Sequence, residues 1–494
     1  MVTKLSEYTP KNPFDVLLIY DTSKYINLSR GDPYDDPPVV PQRAYADFYL
    51  NFVLPLADAN HEHHITEVPE TLLKKHWSAF VGGKAEFPEL SVAYLNEIKK
   101  IVCSESKDPS CFWNLLRELA TYAQGGDYTN PQGMGSLVSH DIGYEGLVQY
   151  IFEKIRKIPV NPHDSVIITN GATEAISLLF STLNKIGFLQ KGDEIITVEP
   201  LYSPYLLKIF GEGYKTLPLL ADPELDWQIP DEAIDELADR IGKRTKALIM
   251  VNPGNPTSTI IEDRTIDKLA KLADDLNILV ISDIVYSQLC VRKDPHFISR
   301  HESLQNQLIT IDSTSKLFQD PGDRGGIILS KVDQEFLEQH LGDISKLRAK
   351  YRMKNTDGLG RILTLEKNAY NKNSPASVQV KHLFYWTWYI KEPHALRKRV
   401  LEDAKKYEEF FSGLGLPKRD NFVPYYRFVN IRDLTDERPV PKSDDFVRKI
   451  AEKGVLLLPG YFFTDPKLGD QYVRICVANS SEEKLKKALE LIKK

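Results

Sequence analysis

From about residue 160 onward the apolar residues alternate between two periods. The short β-branched runs "SVIIT", "DEIITVEP", "KALIMVNP", "ILVISD", "QLITID" and "GGIILS" have the length and composition of strands. Most are separated by segments long enough for a helix, such as "TIDKLAKLADDL". In "GATEAISLLFSTLNKIG", Ala172, Ile176, Leu179, Leu183 and Ile186 recur at helical spacing. Strands and helices in alternation predict an α/β fold with a mostly parallel sheet. Such sheets collect ligands beyond the carboxyl ends of their strands, so chemistry is expected immediately after each run.

The flanking regions have other rhythms. Residues 350 to 494 open on a long helical stretch, "SVQVKHLFYWTWYIKEPHALRKRVLEDAKKYEEFF". Short strands follow ("YRFVNI", "VLLLP", "YVRICVA"), then a final helix, which predicts a smaller α+β domain. Residues 55 to 125 form a separate helical block, with stretches such as "PELSVAYLNEIKKIV" and "CFWNLLRELATYA". No internal repeat or low-complexity tract is present.

A chain of 494 residues is too long for one compact core and implies two or three domains. Hydrophobic residues at 42% and charged residues at 27% are ordinary for a soluble globular protein. A net charge of −6 argues against a general polyanion-binding surface, so no nucleic acid is expected as partner. No apolar run approaches the roughly 18 residues of a membrane helix, and the N-terminal stretch lacks the apolar core of a signal peptide. Four cysteines (103, 111, 290 and 476) do not make a disulfide framework. A cytoplasmic protein is the expectation. "HEHH" at 61 to 64 has no second cluster of matching spacing, so it reads as a surface loop and no metal is expected.

Each strand end carries a residue with both a plain reading and a chemical one. In "TNGATEA", a helix starting at Ala172–Thr173 after Gly171 offers free N–H groups and a positive dipole end, a phosphate site; any glycine-containing strand–helix turn looks similar. In "EPLYSPY", Tyr202 can stack on a flat heterocycle or merely pack. In "VNPGNPTS", Asn255 is an amide donor or part of a tight turn. In "VISDIVY", Asp283 after a buried strand must be paired or costly, or it caps a helix; Tyr286 follows three residues on. In "STSKLFQDPGDRGG", Lys316 has Ser313 and Ser315 before it and Arg324 eight residues beyond, where a solvated loop lysine is the plain reading. Singly, none decides. In order along successive strand ends they supply a phosphate cradle, a stacking ring, an amide, a carboxylate, a phenol, an amine and a guanidinium. Pyridoxal phosphate, a phosphorylated aromatic aldehyde, needs these groups.

These ordered blocks resemble the fold-type I pyridoxal-phosphate enzymes, specifically the class I/II aminotransferase family. That pattern is a Gly-x-Thr phosphate turn, an aromatic after Pro, an Asn-Pro turn, Asp-x-x-Tyr, and Ser-x-x-Lys with an arginine eight residues later. Here it stands as Gly171–Thr173, Tyr202, Asn255, Asp283–Tyr286, Ser313–Lys316 and Arg324. "LSRGDPYDDPP" is similar to the family's N-terminal Gly-x-Pro segment, which closes over the substrate at Gly31. "YVRICVANSSEEKLKKALELI" is similar to its closing segment, so Arg474 matches the arginine that grips the substrate α-carboxylate. Tyr128, in "GGDYTNPQGMG", matches the tyrosine that reaches the cofactor phosphate of a neighbouring subunit. The long spacing between Gly31 and Tyr128, with "RGDP", "LDWQIPDE" and "GVLLLPGYFF", is similar to bacterial aspartate 4-decarboxylases that also act as aspartate aminotransferases.

The resemblance implies the rest. The fold is a large domain with a seven-stranded, mostly parallel sheet plus a smaller α+β domain. The domains are a closing segment (1–54), a helical insertion (55–125), a large cofactor-binding domain (126–348) and a small domain (349–494). Lys316 condenses with the cofactor aldehyde and then moves the Cα proton. Asp283 pairs with the ring nitrogen, Tyr286 and Asn255 with the phenolic oxygen. Ser313, Ser315, Arg324 and the Ala172–Thr173 turn take the phosphate, and Arg30 contacts the substrate's side-chain carboxylate. The substrates are an amino acid and a 2-oxo acid, with aspartate transamination or 4-decarboxylation first, another amino acid second, and a non-catalytic regulatory protein as the outside reading. A homodimer or higher homo-oligomer with composite sites is implied. Three departures stand out: "NPTST" replaces Asn-Pro-Thr-Gly, "FQDPGDRGG" replaces a Gly-aromatic/Leu-Arg run, and Asp323 beside Arg324 either weakens its hold on a phosphate or marks an altered site.

Overall fold

The computed structural model describes residues 24–33, 36–59, 68–83, 88–103, 106–123, 148, 150–161, 164–292, 294–369 and 376–493. Strand β1 (Ile26–Asn27) precedes the central strands β2 (Ser165–Asn170), β3 (Glu194–Glu199), β4 (Lys215–Leu220), β5 (Thr245–Val251), β6 (Leu279–Asp283), β7 (Leu308–Ser313) and β8 (Gly325–Ser330). The last seven form one sheet in the order β2-β8-β7-β6-β5-β3-β4. β8 is antiparallel to both its neighbours, and the other neighbouring pairs are parallel. The apolar runs are continuous because both faces are covered. On β6, Leu279 and Ile281 enter one core and Val280 the opposite one. Each such side chain contributes about 1.5–3 kcal/mol when fully buried.

β4 is the strand that the sequence patterns did not single out. Its "KTLPLL" carries Pro218, which removes a ladder donor, and it lies at the edge, paired only with β3. The register lines up the strand ends that matter. Val251 faces Asp283, Asp283 faces Ile311, Ser313 faces Gly326, and Asn170 faces Gly325. The carboxyl ends of β2, β5, β6 and β7 therefore meet the amino end of β8 on one edge.

Beyond the sheet, β9 (Tyr426–Asn430), β10 (Val455–Leu456), β11 (Leu458–Pro459) and β12 (Tyr472–Cys476) follow. β9, β11 and β12 make a three-stranded antiparallel sheet. Helices Pro393–Gly413, Ser443–Glu452 and Glu482–Lys493 share a core with it through Tyr407, Phe446 and Leu485. β1 runs parallel to β10, and the Cys476 N–H donates to the Leu28 carbonyl, so the N-terminal segment is hydrogen-bonded into this unit. The long helical stretch is two helices, Ala376–Lys391 and Pro393–Gly413, because Pro393 can start a helix but not continue one. Helix Leu359–Ala369 packs on the large sheet, with Ile362 and Leu363 in the same core as Ile176.

The helical block contains Pro88–Val102 and Cys111–Ala123, as their apolar spacing predicts. With Val39–Phe48 it surrounds helix Ala376–Lys391, whose Phe384 ring lies 5.7 Å from Phe48 and 6.2 Å from Tyr94. Cys103 and Cys111 are joined by a disulfide, whereas Cys290 and Cys476 are free and buried. The sequence reading that the cysteines make no framework therefore needs correcting by one bridge, which spans a separation of only 8 residues. Among the described residues no helix is long and apolar enough to cross a membrane. "HEHH" lies outside them.

Candidate active site

A cavity of about 490 Å³ opens at the edge where the strand ends meet. Ala172, Thr173, Tyr202 and Asn255 line it, as do Asp283, Tyr286, Ser313, Ser315, Lys316 and Arg324. Arg30, Gly31 and Arg474 line it from the N-terminal segment and the small sheet. Gly171, next to Ala172, is not among the lining residues but lies against Arg324. Tyr128 lies outside the described residues.

One end of the cavity is built for an anion. Gly171 has φ 84°, and a Cβ there would meet Arg324 Nη2 at 2.5 Å, so only glycine lets the guanidinium lie against the start of helix Ala172–Lys185. Ser313 caps the short helix Thr314–Leu317, its hydroxyl accepting from the Ser315 N–H at 3.1 Å. The Ser313 and Ser315 hydroxyls lie 3.0 Å apart, gathered on the same side. Asp323 does not turn to Arg324 as its place in the sequence suggested; it pairs with Lys381, which also lies 3.3 Å from Asp320.

The floor is a buried carboxylate. Asp283 is 1% exposed and accepts from the Tyr205 hydroxyl at 3.0 Å and the Val285 N–H at 3.2 Å. Burial pushes its carboxyl up to about 7, against the pull of those two bonds. Tyr202, half-buried and hydrogen-bonded to the Thr173 side chain, lines the same cavity. The Tyr286 hydroxyl is 2.8 Å from that of Tyr426.

Above the floor stands Lys316. Burial is the largest influence on its amine and lowers its pKa, which favours the uncharged, nucleophilic form. Its Nζ donates to the Gly31 carbonyl at 2.5 Å. Arg474, 6% exposed, is fixed on several sides. It donates to the Asn255 side chain at 3.0 Å and to the Ser29 carbonyl, and its guanidinium lies 4.5 Å from the Tyr426 ring centre. Arg30 sits at the mouth, paired with Asp32 at 3.3 Å.

Tyr205 and Tyr426 belong to this constellation and were not among the candidates from the sequence. Tyr426 has no motif around it beyond an aromatic strand. Its hydroxyl meets Tyr286, its ring meets Arg474, and it would lie 1.8 Å from a Cβ at Gly31. Gly31→Ala is therefore an overpacking change of about 1–3 kcal/mol. It is expected to raise the amino-acid KM roughly tenfold with little change in kcat, as steady-state kinetics would read.

The arrangement fits pyridoxal phosphate. A buried carboxylate whose two hydrogen bonds come from neutral donors suits a protonated ring nitrogen. A glycine-made cradle with an arginine suits a phosphate, and the amine suits an aldehyde. Fold and site thus define a fold-type I pyridoxal-phosphate enzyme. The comparisons make this more specific: the model of the family "Aminotransferase class I and II" matches residues 143–492, and the chain belongs to that family. Its cofactor is pyridoxal phosphate, and its substrates are of the amino-acid and 2-oxo-acid classes. A Pseudomonas bifunctional aspartate aminotransferase and L-aspartate beta-decarboxylase is 27% identical over 390 residues, 72% of this chain and 70% of that protein. An aspartate aminotransferase of Pyrococcus horikoshii is 27% identical over 353 residues, 71% of this chain and 79% of that one. The structure of aspartate aminotransferase from Thermus thermophilus with maleate shares the fold, with a TM-score of 0.64 at 18% identity, covering 100% of this chain and 98% of that one.

Proposed function

We propose that the protein is an aspartate aminotransferase whose site also allows the β-carboxyl group of L-aspartate to leave as carbon dioxide, giving L-alanine. The observation that carries a dicarboxylic substrate is the pair of guanidinium groups on the same cavity as Lys316, Arg474 within it and Arg30 at its mouth. Arg474 is immobilised by Asn255 and Ser29, and its planar fork suits an α-carboxylate. Arg30 would take the side-chain carboxylate in exchange for Asp32. The similarity to the bifunctional Pseudomonas protein supports the decarboxylation as a second outcome.

In this reading Ser313, Ser315, Arg324 and the Ala172–Thr173 N–H groups hold the phosphate, Tyr202 covers the ring, and Asp283 keeps the ring nitrogen protonated. Tyr286 and Asn255 address the phenolic oxygen, with Tyr426 orienting Tyr286. Bound pyridoxal phosphate supplies an aldehyde that condenses with amines and a ring that accepts the electron pair left at Cα. Lys316, its amine favoured in the neutral form by burial, takes the proton from Cα and keeps it for return. Gly31, backed by Tyr426, brings the mouth segment down over Lys316 and limits water. Tyr128 from a second copy of the chain completes the phosphate site in a cytoplasmic homodimer or larger assembly.

The test is to mix the purified protein, pyridoxal phosphate, L-aspartate and 2-oxoglutarate and follow products by NMR. Glutamate and oxaloacetate in equal amounts are expected, and alanine exceeding glutamate would establish the decarboxylation. Neither product from aspartate would overturn the substrate assignment.

A further inference from the structure

We propose that Lys381 is a positioning residue for the cofactor phosphate. By pairing with both Asp320 and Asp323 it holds the Asp320–Arg324 loop so that the Arg324 guanidinium faces the start of helix Ala172–Lys185 instead of those two carboxylates. The inference rests on the reading of Arg324 as a phosphate ligand.

The loop is not self-supporting. It is bounded by two non-glycine residues in the left-handed region, Gln319 at φ 53° and Arg324 at φ 56°. Such conformations persist where surrounding contacts hold them. At Gln319 the contact is Arg399, which donates to its side chain at 3.0 Å and to the Leu317 carbonyl at 2.7 Å. At the other end Arg324 donates to the Pro321 carbonyl at 3.2 Å, a bond within the loop itself. An outside contact there is Lys381, bonded to Asp323 and 3.3 Å from Asp320. His382, next on the same helix, packs its ring where a Cβ on Gly325 would sit and lies 3.9 Å from Asp320.

Charge decides the direction of the effect. The side chains of Lys381, Asp320 and Asp323 are 23%, 8% and 26% exposed, so water screens them incompletely. With Lys381 present, its ammonium, together with His382 beside Asp320, holds two carboxyl groups that also hydrogen-bond to each other. Without it, the cation next to Asp323 in the chain is Arg324, and every contact it makes with a carboxylate is one lost to the phosphate. The same helix, Ala376–Lys391, presents Phe384 to Phe48 and Tyr94, so the helical block braces the element that holds the loop.

The test is cofactor affinity, measured by titrating pyridoxal phosphate into the full chain after the cofactor has been stripped, with tryptophan fluorescence as readout. Lys381→Met is expected to weaken binding about tenfold. Adding Asp323→Asn to it is expected to restore affinity to within about threefold, a non-additivity that a packing role would not produce. Lys381→Arg, which keeps the charge, should bind within about threefold of the unsubstituted chain. Unchanged affinity in Lys381→Met, or no rescue by Asp323→Asn, overturns the inference, while weakened binding in Arg324→Gln would leave the phosphate reading standing. Unchanged binding in Arg324→Gln overturns that reading and the inference with it.

Discussion

Lys316→Ala is expected to lower turnover by at least about 10⁴-fold, because in the proposed reaction one amine is both the covalent attachment point and the proton carrier. The visible absorbance of a lysine-linked cofactor should vanish with it. Cofactor binding itself should survive in weaker form, since the groups at the anion end, Ser313, Ser315 and Arg324, do not depend on the amine. Burial lowers the amine's pKa, which favours the uncharged form that the proposed attachment requires. Measuring kcat and the absorption spectrum of the same preparation separates the two effects. Turnover within about tenfold of the unsubstituted enzyme would remove Lys316 from the chemistry.

Asp283→Asn is expected to pull activity and stability in opposite directions. Losing the carboxylate proposed to pair with the cofactor's ring nitrogen should reduce turnover by roughly 10²–10³-fold. In the cofactor-free chain, however, the carboxylate is a liability. Its carboxyl in the folded chain is held at about 7, against 3.8 as the ordinary value. Between those two pH values the folded chain keeps a proton that the unfolded chain has released. Stability conferred by the protonated form is therefore present at low pH and declines as pH rises from about 4 to about 7. An asparagine does not ionise, so the variant avoids the decline. Its Tm without cofactor should exceed that of the unsubstituted chain at pH 8 and match it near pH 4. Equal Tm values at both pH values would mean the carboxylate is not destabilised by its surroundings.

Much of this architecture is legible in the residues because strands buried on both faces have to be apolar throughout, and because a cofactor with many distinct functional groups demands many distinct side chains in order. Gly171, Asp283, Lys316 and Arg324 stand where one strand end follows another, so one dimension sufficed to bring them to notice. What stayed hidden is what depends on contact across the chain. Tyr426 lies 140 residues from Tyr286, and nothing in an aromatic strand announces a shared hydrogen bond. Tyr205 reaches Asp283 from a helix whose sequence looks like ordinary packing. Lys381 reads as one more lysine in an apolar helix until the carboxylates of Asp320 and Asp323 are brought under it. Asp323 shows the reverse case: adjacency in sequence left open whether it weakens the hold of Arg324 on a phosphate or marks an altered site, and the structure pairs it with Lys381. Pro218 concealed β4, and a bridge closing so short a connection as Cys103–Cys111 cannot be read from a count of four.

The pairing of β1 with β10 has a consequence for how the protein is made. Ile26 and Val455 are 429 positions apart (455 − 26), yet they sit side by side in one ladder. At roughly 5–20 residues per second, the ribosome releases β1 about 20 to 90 s before its partner exists. Over that interval the large sheet can form while the segment carrying Arg30 and Gly31 has no strand to join. Arg474, translated later still, must then find Asn255 and Ser29 together. The groups proposed to hold the phosphate, the last of them Arg324, are thus available to a nascent chain well before the mouth is, and the last to arrive is Arg474, proposed to grip the substrate carboxylate.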